Sequence, residues 1–371
     1  MRMRNRNKLI PWAGPLFSGR EKEYLMNALE STWISGGKYI DKFEKCFTRY
    51  NRAKYGITVS NGTTALQLAL LALDIQAGDE VIVPGYTFVA PVNMVIASGA
   101  KPVYADIDPE TWCIDPESVK KSITKRTKAI IPVHIYGNVC DMTQLEHIAA
   151  RYGLYIIEDT AEASFSKYKG KYAGTFGTIG CYSFQATKTI TMGEGGFVIT
   201  RDKKLYKKMR IIKSHGMRDD KRYWHDMIGY NFRLTNIQAA VGCAQLENIK
   251  KIIAMRKRMH GLYYKELKAE PGITMQRFRP EVDPVVWAVS VRLSPGYFKE
   301  SRDGLVKKMF ESGIEVRPGF YPFNVLPLYH GPELKISLDI GLNVISLPSY
   351  PSISPDLVKY VCDTLKKMRK I

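Results

Sequence analysis

The sequence predicts an α/β protein built around a mostly parallel sheet. Seven short apolar runs in the first 200 residues are typical of buried strands: Tyr55 to Val59, Glu80 to Val83, Pro102 to Ala105, Ala129 to Val133, Tyr155 to Glu158, Gly180 to Phe184 and Phe197 to Thr200. Longer amphipathic stretches between them are typical of helices: Thr63 to Leu73, Thr87 to Ser98, Pro116 to Ile123 and Met142 to Tyr152. Strands that alternate with helices favour parallel pairing, with helices on both faces of the sheet. We therefore expect one seven-stranded, mostly parallel sheet in a large N-terminal domain.

One more helix is predicted ahead of the first strand. Ser18 and Glu21 have the spacing of a capping box, in which two side chains satisfy two of the free N–H groups at a helix start. This signal predicts an amphipathic helix that begins there and continues to about Ser31.

The pattern changes near residue 235, where the alternation gives way to one long helical stretch from Asn236 past Tyr263. Shorter elements follow it, with strand patterns at Trp287 to Leu293 and Glu315 to Arg317 and helical patterns at Ser301 to Ser312 and Pro355 to Met368. This change predicts two domains, residues 1–235 and residues 236–371, of which the second is a smaller α/β domain.

Composition indicates a globular protein. The chain has 371 residues, 45% of them hydrophobic, which suffices for a core in each domain. The first eight residues are basic but lack the apolar stretch of a signal peptide, and no apolar run approaches the length of a membrane span. Six scattered cysteines include no CxxC pair, and no histidine stands at metal-ligand spacing. We therefore expect a cytoplasmic protein without a membrane partner, a disulfide framework or a metal site.

The formal net charge of +19 raises the alternative of a nucleic-acid-binding protein, because a basic protein attracts polyanions. The basic residues are spread along the chain, however, and clusters such as 203–208 and 366–370 fall on amphipathic helical patterns. Charge on such a pattern is usually a solvated helix face. We expect no nucleic-acid partner, although a substrate that carries a diphosphate would also be attracted by this charge.

Two residues 29 positions apart, Asp159 and Lys188, point to a particular chemistry. Asp159 closes an apolar run that begins at Leu154, so it should lie at the carboxyl end of a parallel strand, where open α/β sheets bind ligands. A buried carboxylate needs a positive or hydrogen-bonding partner, and a protonated pyridine nitrogen is one. A lysine whose pKa is lowered by its environment can form a Schiff base. Pyridoxal phosphate (PLP) chemistry requires this pair, and we interpret both residues as catalytic.

A phosphate site is predicted ahead of this pair. Residues Ser60 to Thr64 follow a predicted strand and open a helix, so their N–H groups and the helix dipole can bind an anion. The same residues could form only a helix cap, which is much commoner. The presence of Asp159 and Lys188 further along the chain favours the phosphate site.

These motifs together resemble the DegT/DnrJ/EryC1/StrS family of sugar aminotransferases. The likeness extends from Ile10 to Ser349 and includes six motifs in family order: Ser60-Asn61-Gly62-Thr63-Thr64-Ala65-Leu66, Pro84-Gly85-Tyr86-Thr87-Phe88, Val133-His134-Ile135-Tyr136-Gly137, Glu158-Asp159-Thr160-Ala161-Glu162-Ala163, the Ser183 to Gly196 block with Lys188, and Tyr230-Asn231-Phe232-Arg233. The resemblance implies the fold type I architecture of aspartate aminotransferase. It also implies an enzyme whose PLP is converted to pyridoxamine phosphate and back.

The resemblance assigns further cofactor contacts. Main-chain groups at Gly62 and Thr63, with the Ser183 hydroxyl, are implied to hold the PLP phosphate, and Phe88 to stack on the pyridine ring. From the sequence alone Phe88 could equally be a core helix residue. Asn231 is implied to reach the PLP phosphate of a partner subunit, which predicts a homodimer with shared active sites, although Asn in such a loop is also common turn chemistry.

Glu162 departs from many relatives, which have Gln at this position in contact with the phenolic oxygen of the cofactor. A second carboxylate near the phenolate would be repelled unless it is protonated or turned toward the substrate. Relatives that make 4-amino-4,6-dideoxy sugars tend to have Glu here. Glu162 is therefore interpreted as a cofactor contact and as a marker of that subgroup.

Variable segments at 31–37, 223–230 and 317–322 resemble the perosamine-forming 4-aminotransferases. Together with the motif around residue 86 they supply the predicted substrate-binding residues: Trp33, Tyr86, Trp224, His225, Arg317 and Tyr321. Aromatic rings suit a sugar face, and a guanidinium can pair with a diphosphate. Trp33, Trp224 and Phe320 could instead pack a dimer interface. The expected reaction moves an amino group from glutamate to C4 of a nucleotide-linked 4-keto-6-deoxyhexose, with GDP as the first choice of nucleotide.

Alternatives stay open at this point. The same catalytic core could serve a 3-keto sugar, an aminocyclitol precursor, or a 4-keto sugar linked to UDP or dTDP. A PLP-dependent sugar dehydratase would have His in place of the Schiff-base lysine, so Lys188 argues against it. A basic nucleic-acid-binding protein on the same fold would not need Lys188, Asp159 and Ser183 together. The released Lys188 amine is expected to move the proton, so His134 and His225 are interpreted as structural or substrate-contacting.

Overall fold

The computed structural model describes residues 9 to 370. Twelve helices lie in this range: α1 Glu21–Glu30, α2 Lys38–Tyr50, α3 Gly62–Ala72, α4 Ala90–Ala97, α5 Pro116–Ser122, α6 Met142–Tyr152, α7 Lys203–Ile212, α8 Asn236–Glu247, α9 Ile249–Leu267, α10 Arg302–Glu311, α11 Lys335–Asn343 and α12 Pro355–Lys366. Fourteen strands also lie in it: β1 Tyr55–Val59, β2 Glu80–Pro84, β3 Lys101–Ala105, β4 Thr127–Ile130, β5 Tyr155–Asp159, β6 Lys167–Tyr168, β7 Lys171–Tyr172, β8 Ile179–Ser183, β9 Gly196–Thr200, β10 Ile273–Met275, β11 Val282–Asp283, β12 Ser290–Leu293, β13 Arg317–Pro318 and β14 Val344–Ser346.

The largest sheet confirms the predicted α/β fold. Its seven strands are the seven predicted ones, in the order β1-β9-β8-β5-β4-β2-β3. The strands from β3 to β8 in this order pair in parallel, whereas β9 is antiparallel to both β8 and β1. Because β5 and β8 are parallel neighbours, Asp159 pairs with Cys181 and lies at the same edge of the sheet as Ser183.

Helices cover both faces of this sheet. Successive residues of a strand point to opposite faces, so Val81 and Val83 join a core with α3, α4 and α7, whereas Ile82 joins a core with α5 and α6. A third core packs α1, α2 and α8 against side chains of β8 and β9. Burial on both faces explains why the parallel strands are continuous apolar runs in the sequence.

A second, smaller sheet lies in the C-terminal part of the chain. Its strand order is β10-β12-β14-β13, and all its pairs are antiparallel. Its core is shared with α9, α10 and α12. Helix α8 packs on α1 and α2, whereas α9 packs on β10 and α12. The division between two domains at residue 235 stays a prediction.

The long helix predicted from Asn236 past Tyr263 is two helices, so that prediction was wrong. Helix α8 ends at Glu247 and α9 begins at Ile249, with Asn248 between them at φ −92° and ψ 6°. The Asn248 side chain donates to the carbonyl of an earlier residue of α8 (3.3 Å), and such local bonds compete with the continuation of a helix.

Helix α1 begins two residues later than the capping box at Ser18 predicts, and it lacks that capping box. Its N-cap is Arg20, and no side chain caps it. The Glu21 carboxylate instead accepts from the N–H of Gly19 (2.8 Å) and from the side chain of Gln245 (2.6 Å). Glu21 is buried, so its carboxylate is used by a tertiary contact with α8 rather than by Ser18.

Prolines shift two of the predicted boundaries. Helix α4 begins three residues after Thr87, with Pro91 in its first turn, where the missing N–H of a proline costs nothing. The fourth predicted strand ends at Ile130 rather than at Val133, because Pro132 cannot donate to the ladder.

Helix α2 is the longest element that was not predicted. Its buried residues, Tyr39, Phe43 and Phe47, recur every four positions, so the helical signal was present in the sequence. Helix α11 and the short strands β6, β7, β10, β11 and β14 were also not predicted. Short strands carry too few alternating residues to stand out from a loop.

Within residues 9 to 370, no helix is both long enough and apolar enough to cross a bilayer. The same residues bring together no group of three His, Cys, Asp or Glu side chains that could hold a metal ion. The six cysteines are all free in this range, and Cys46 alone is exposed.

Candidate active site

A cavity of about 490 Å³ lies at the carboxyl ends of β5 and β8. Seven residues predicted as cofactor contacts line it: Gly62, Thr63, Phe88, Asp159, Glu162, Ser183 and Lys188. Its volume is typical of a small-molecule site, which holds roughly 300–1,000 Å³. The position agrees with the rule that open α/β sheets bind ligands beyond the carboxyl ends of their strands.

Asp159 ends β5 and is buried in the cavity wall. Its Oδ1 accepts from the N–H of Ala161 (3.0 Å). Burial raises the pKa of Asp159, and the opposing effects of the Ala161 N–H and of the Lys188 charge are smaller. A cationic hydrogen-bond donor inside the cavity would stabilise the carboxylate, and a protonated pyridine nitrogen is such a donor.

Glu158, the residue before Asp159, fixes the end of β5. Its carboxylate accepts three main-chain N–H groups of segment 174–177 and lies 3.0 Å from Nε2 of His134. The N–H of Cys140 donates to Nδ1 of His134 (3.2 Å), so Nε2 carries the ring proton and donates to Glu158. His134 is fully buried and is not among the residues that line the cavity, so its role here is structural.

Lys188 projects from the segment between β8 and β9 and has little exposure. Its Nζ lies 3.8 Å from Oε1 of Glu162 and 3.8 Å from the ring centroid of Trp287. Burial lowers the pKa of Lys188, the charges of Glu162 and Asp159 oppose this effect, and the charge of Arg256 adds to it. A lysine amine with a lowered pKa is the nucleophile that a Schiff base requires.

Glu162 is buried beside Lys188. Its Oε2 accepts the N–H of Tyr136 (2.9 Å), a residue held in the left-handed region at φ 58° and ψ 12°. Burial raises the pKa of Glu162 to about 7, although Lys188 and the Tyr136 N–H act in the opposite direction. The carboxyl group therefore titrates near neutral pH, where it can donate or accept a hydrogen bond.

Three residues of the cavity wall meet where α3 begins, and we call Gly62, Thr63 and Ser183 the phosphate cradle. The N-cap of α3 is Asn61, whose side chain accepts the N–H of Thr64 (2.8 Å) and leaves the first two N–H groups of the helix for a ligand. A Cβ at position 62 would lie 2.7 Å from Cβ and 3.2 Å from Oγ of Ser183. Glycine is therefore required for the helix start to approach the serine.

Phe88 is 54% exposed and lies in the loop before α4, on the cavity wall. The alternative that it is a core helix residue is excluded by this exposure. Its ring centroid lies 5.9 Å from that of Phe320.

Tyr86, two residues before Phe88, is fully buried, and its hydroxyl oxygen is 2.7 Å from that of Tyr136. Tyr86 therefore lies behind the wall, and its predicted contact with substrate stays a prediction.

Three aromatic residues of the wall were not predicted as site residues: Trp12, Tyr182 and Trp287. Phe320, which belongs to the 317–322 segment that was expected to face the sugar or to pack a dimer interface, also lies in the wall. The Trp12 and Trp287 rings meet edge to face with centroids 5.5 Å apart. Tyr136 stacks between Trp287 and Phe320, at 6.3 Å and 5.7 Å, with interplanar angles of 13° and 12°. The rarity of tryptophan, of which the chain has five, is the sequence signal that could have found Trp12 and Trp287.

The predicted substrate residues of the 31–37 and 223–230 segments lie on the surface outside the cavity. Trp33 is 70% exposed and Trp224 is 48% exposed. The Trp224 indole donates to Oδ1 of Asp226 (2.9 Å), and Nδ1 of His225 donates to the carbonyl of His215 (2.9 Å). The Trp224 and His225 side chains are therefore held by neighbours in their own loop.

The remaining predicted residues are also outside the cavity lining. Asn231 is exposed, and its Oδ1 accepts from Nε of Arg233 (3.0 Å). Arg317 pairs with Glu315 and lies 5.8 Å from the ring centroid of Trp12. The Tyr321 hydroxyl donates to a carboxylate of α10 (3.3 Å).

The cavity fits PLP by its chemistry. The phosphate cradle offers main-chain N–H groups and a hydroxyl to an anion, and the Gly62 contact shows that a larger residue would fill that space. Asp159 supplies a buried carboxylate for a ring nitrogen, and Lys188 supplies an amine for the aldehyde carbon. These are the groups with which a protein binds and tunes this cofactor.

Comparison with known proteins agrees with this chemistry. The sequence profile of the DegT/DnrJ/EryC1/StrS aminotransferase family matches residues 16–366. The chain is 45% identical to a GDP-perosamine synthase of Escherichia coli O157:H7, with 97% of this chain and 98% of the relative covered. Proteins of the same name from Vibrio cholerae and Caulobacter vibrioides are 42% and 41% identical, with 96% and 93% of this chain and 98% and 94% of the relatives covered.

Solved structures show the same fold. DesV from S. venezuelae superposes with a TM-score of 0.88 at 32% identity, and 94% of each chain is covered. The PLP form of a putative sugar aminotransferase, Spr1654 from Streptococcus pneumoniae, gives 0.91 at 26% identity, with 97% of this chain and 98% of that chain covered. The E. coli GDP-4-keto-6-deoxy-D-mannose-3-dehydratase gives 0.90 at 25% identity and covers 97% of this chain and 100% of its own.

Proposed function

Because this chain belongs to the DegT/DnrJ/EryC1/StrS aminotransferase family, we propose that it transfers an amino group from glutamate to C4 of a nucleotide-linked 4-keto-6-deoxyhexose. The chain is a PLP-dependent aminotransferase of fold type I. The proposed substrate is GDP-4-keto-6-deoxymannose, and the proposed product is GDP-perosamine. The observation that carries this choice is 41–45% identity to three GDP-perosamine synthases over more than 90% of the chain.

Each residue of the cavity has a different role in the proposed reaction. PLP supplies an electron sink when it is bound. Asp159 would accept a hydrogen bond from the ring nitrogen and keep it protonated, and the phosphate cradle would hold the phosphate. Lys188 would anchor the cofactor, and its amine, once free, would accept and return the proton at the substrate carbon. Burial favours the neutral amine, which is the form that accepts this proton.

Glu162 is proposed to face the phenolic oxygen of the cofactor or the incoming substrate. Its position 3.8 Å from the Lys188 Nζ places a carboxyl group at the reacting centre. Since its pKa is about 7, the neutral carboxyl is available to donate a hydrogen bond to a phenolate. This removes the repulsion that two anions at this point would cause.

A homodimer is part of the proposal. Several large apolar side chains of the surface segments are exposed, among them Trp33, Tyr223 and Ile228, and exposed apolar groups of this size favour a protein interface. Asn231 is also exposed and follows Ile228 closely in the sequence. In the proposed dimer its side chain would reach the phosphate held by the phosphate cradle of the partner subunit. The cytoplasmic location remains a prediction.

Product analysis tests the substrate. Purified protein with PLP and glutamate is offered GDP-, UDP- and dTDP-linked 4-keto and 3-keto sugars, and the products are identified by NMR. We expect the largest kcat/KM for GDP-4-keto-6-deoxymannose, amination at C4 and one 2-oxoglutarate for each amino sugar. A preference for 3-keto sugars or aminocyclitol precursors would refute the proposal. A preference for UDP or dTDP would refute its nucleotide part, and loss of a sugar hydroxyl would indicate a dehydratase.

A further inference from the structure

Arg256 is a buried cation on the inner face of α9. It is 2% exposed, and its three hydrogen bonds within residues 9 to 370 all go to main-chain carbonyl groups. Its Nε is buried without a partner in the same part of the chain. Burial lowers the pKa of Arg256 to about 10, which reflects the cost of holding a guanidinium away from water. A group that is costly to bury and only partly satisfied suggests a use other than stability.

The carbonyl groups that Arg256 binds belong to two walls of the cavity. Nη1 donates to the carbonyl of Trp287 (2.9 Å) and more weakly to that of Val286 (3.4 Å). Nη2 donates to the carbonyl of Lys188 (3.3 Å). The planar guanidinium therefore joins the segment that carries the Schiff-base lysine to the segment that leads into the smaller sheet.

Trp287 is fixed by these contacts in one orientation. Its N–H donates to the carbonyl of Tyr136 (3.1 Å), its indole Nε1 donates to the carbonyl of Thr187 (2.8 Å), and its own carbonyl accepts from Arg256. The ring that is held in this way has its centroid 3.8 Å from Nζ of Lys188. A cation at this distance from an indole face is attracted to the ring.

We propose that Arg256 is a positioning residue for the reaction at Lys188: it sets the Lys188 backbone against the Trp287 ring and holds a fixed positive charge at the carbonyl group of the lysine. The proposal rests on the proposed function in so far as the Lys188 amine performs the chemistry. The charged groups around that amine are Asp159 and Glu162, which favour its protonation, Glu194 on the cavity wall, and Arg256. Arg256 opposes protonation and so increases the fraction of neutral amine at a given pH.

The test compares Arg256→Met, Arg256→Lys and a matched control, Arg258→Met, an exposed position on the same helix. Methionine has a similar unbranched length but no charge and no donors, whereas lysine keeps the charge and loses the planar fork. One readout is kcat and KM of the holoenzyme for the glutamate half-reaction. The other is the rate at which acetic anhydride labels Lys188 in the full-length cofactor-free protein, followed by peptide mass spectrometry as a function of pH.

In R256M we expect kcat to fall about tenfold or more, whereas KM for glutamate should change less than about threefold. The reason is that the variant misplaces the reacting amine but leaves the binding of glutamate largely intact. The pH midpoint of Lys188 labelling should rise, because the charge of Arg256 no longer opposes protonation of the amine, and labelling near pH 8 should slow. R256K should restore the labelling profile but not kcat. The R258M control should match the wild type in both readouts.

The proposal would be overturned if R256M had the kcat of the wild type. It would also be overturned if Lys188 in R256M were labelled with the pH dependence of the wild type, whatever its kcat. Should R256M fold poorly in a thermal melt, R256Q, which is neutral and keeps one donor, has the same expected labelling shift. The labelling and the glutamate half-reaction need no sugar nucleotide, so a failure of the substrate proposal leaves this result interpretable.

Discussion

The inner side of the cavity and the surface segments at 31–37 and 223–230 differ in how they hold their side chains. On the inner side, Asp159, Ser183 and Lys188 come from neighbouring strand ends or just after them and have little contact with solvent. On the surface segments, Trp33 and Trp224 are largely exposed and bind only within their own loops or not at all among the described residues. One chain thus brings together seven of the predicted cofactor residues but leaves Asn231 and the substrate residues of these segments outside the cavity. The difference is what a shared active site between two subunits would produce.

Replacement of Lys188 is expected to have the largest effect on the inner side. Lys188→Ala should lower kcat by about a thousandfold or more, because both the anchor of the cofactor and the proton carrier are lost. The variant should still fold and bind PLP, since Asp159 and the phosphate cradle remain. Steady-state assays and a PLP titration measure these two quantities.

Borohydride reduction identifies the lysine directly. In the wild type, the reduced cofactor should be found on the peptide that contains Lys188, and K188A should carry none. Cofactor on another lysine, or turnover by K188A without added amine, would contradict the assignment.

Mixing two inactive variants tests whether the surface side belongs to a partner. Asn231→Asp places a carboxylate against the partner's phosphate and should inactivate each site by repulsion. After subunit exchange, an equal mixture of K188A and N231D should recover about a quarter of the wild-type activity, because half of the dimers are heterodimers and each has one intact site.

The matched control for this experiment is a mixture of K188A and D159N. Both residues lie in the same cavity of one chain, so no heterodimer has an intact site and no activity should return. Absence of rescue by N231D, with exchange shown by tagged subunits, would place Asn231 in its own chain's site or outside any site.

Substitution of Gly62 by alanine should weaken cofactor binding without removing a chemical group. The new Cβ would lie 2.7 Å from that of Ser183, so either the serine or the start of α3 must move. Overpacking of this kind costs about 1–3 kcal/mol, which corresponds to a loss of PLP affinity of about 5-fold to 150-fold. Gly261→Ala in α9, where no atom lies within 4 Å of the new Cβ, is the control and should bind PLP normally. Normal binding by G62A would show that the cradle does not hold the phosphate.

The smallest effect concerns Glu162 and pH. Its pKa in the folded protein, about 7, is raised above the ordinary value of 4.5, so its neutral form is favoured by folding. The stability that this provides is complete below about pH 4.5 and is lost as pH rises through about 7. In Glu162→Gln the side chain stays neutral, so the variant should gain about 1–3 kcal/mol relative to wild type between about pH 5 and pH 8. Urea unfolding of the cofactor-free wild type and variant at the two pH values measures this gain in the free energy of unfolding. If the difference between the two proteins were the same at both pH values, Glu162 would not be a buried carboxyl that titrates in this range.

The inner side of the cavity was largely predictable because its residues are tied to local signals. Asp159 closes an apolar strand, Gly62 follows a strand and opens a helix, and Lys188 lies in a motif of the family. Short-range periodicity fixes such elements well: α6 has the predicted bounds, with Asp141 as a side-chain cap and Gly153 in the left-handed conformation after its last residue.

The rest of the site depends on contacts that no local pattern records. Trp287 reaches the cavity by bonds to Thr187 and Arg256, residues 100 and 31 positions away. The capping box at Ser18 was wrong for a related reason, since Glu21 is bound by Gln245, 224 positions along the chain. The break at Asn248 was missed because α8 and α9 carry one continuous apolar pattern and no proline or glycine marks the junction.

The wall of the cavity contains residues that lie far apart in the sequence, from Trp12 to Phe320, and this affects how the cavity forms during folding. A chain in which the large sheet has formed but the smaller sheet has not would have the phosphate cradle and Asp159 and would lack Trp287 and Phe320. Contacts between such distant residues form late in folding, because closing long loops costs entropy before the contacts are gained. PLP that binds the complete cavity more tightly than the partial one draws the population toward fully folded chains by mass action. The cofactor would thus act as a folding ligand before it acts in catalysis, and enzyme made under PLP limitation should accumulate as partly folded, protease-sensitive chains.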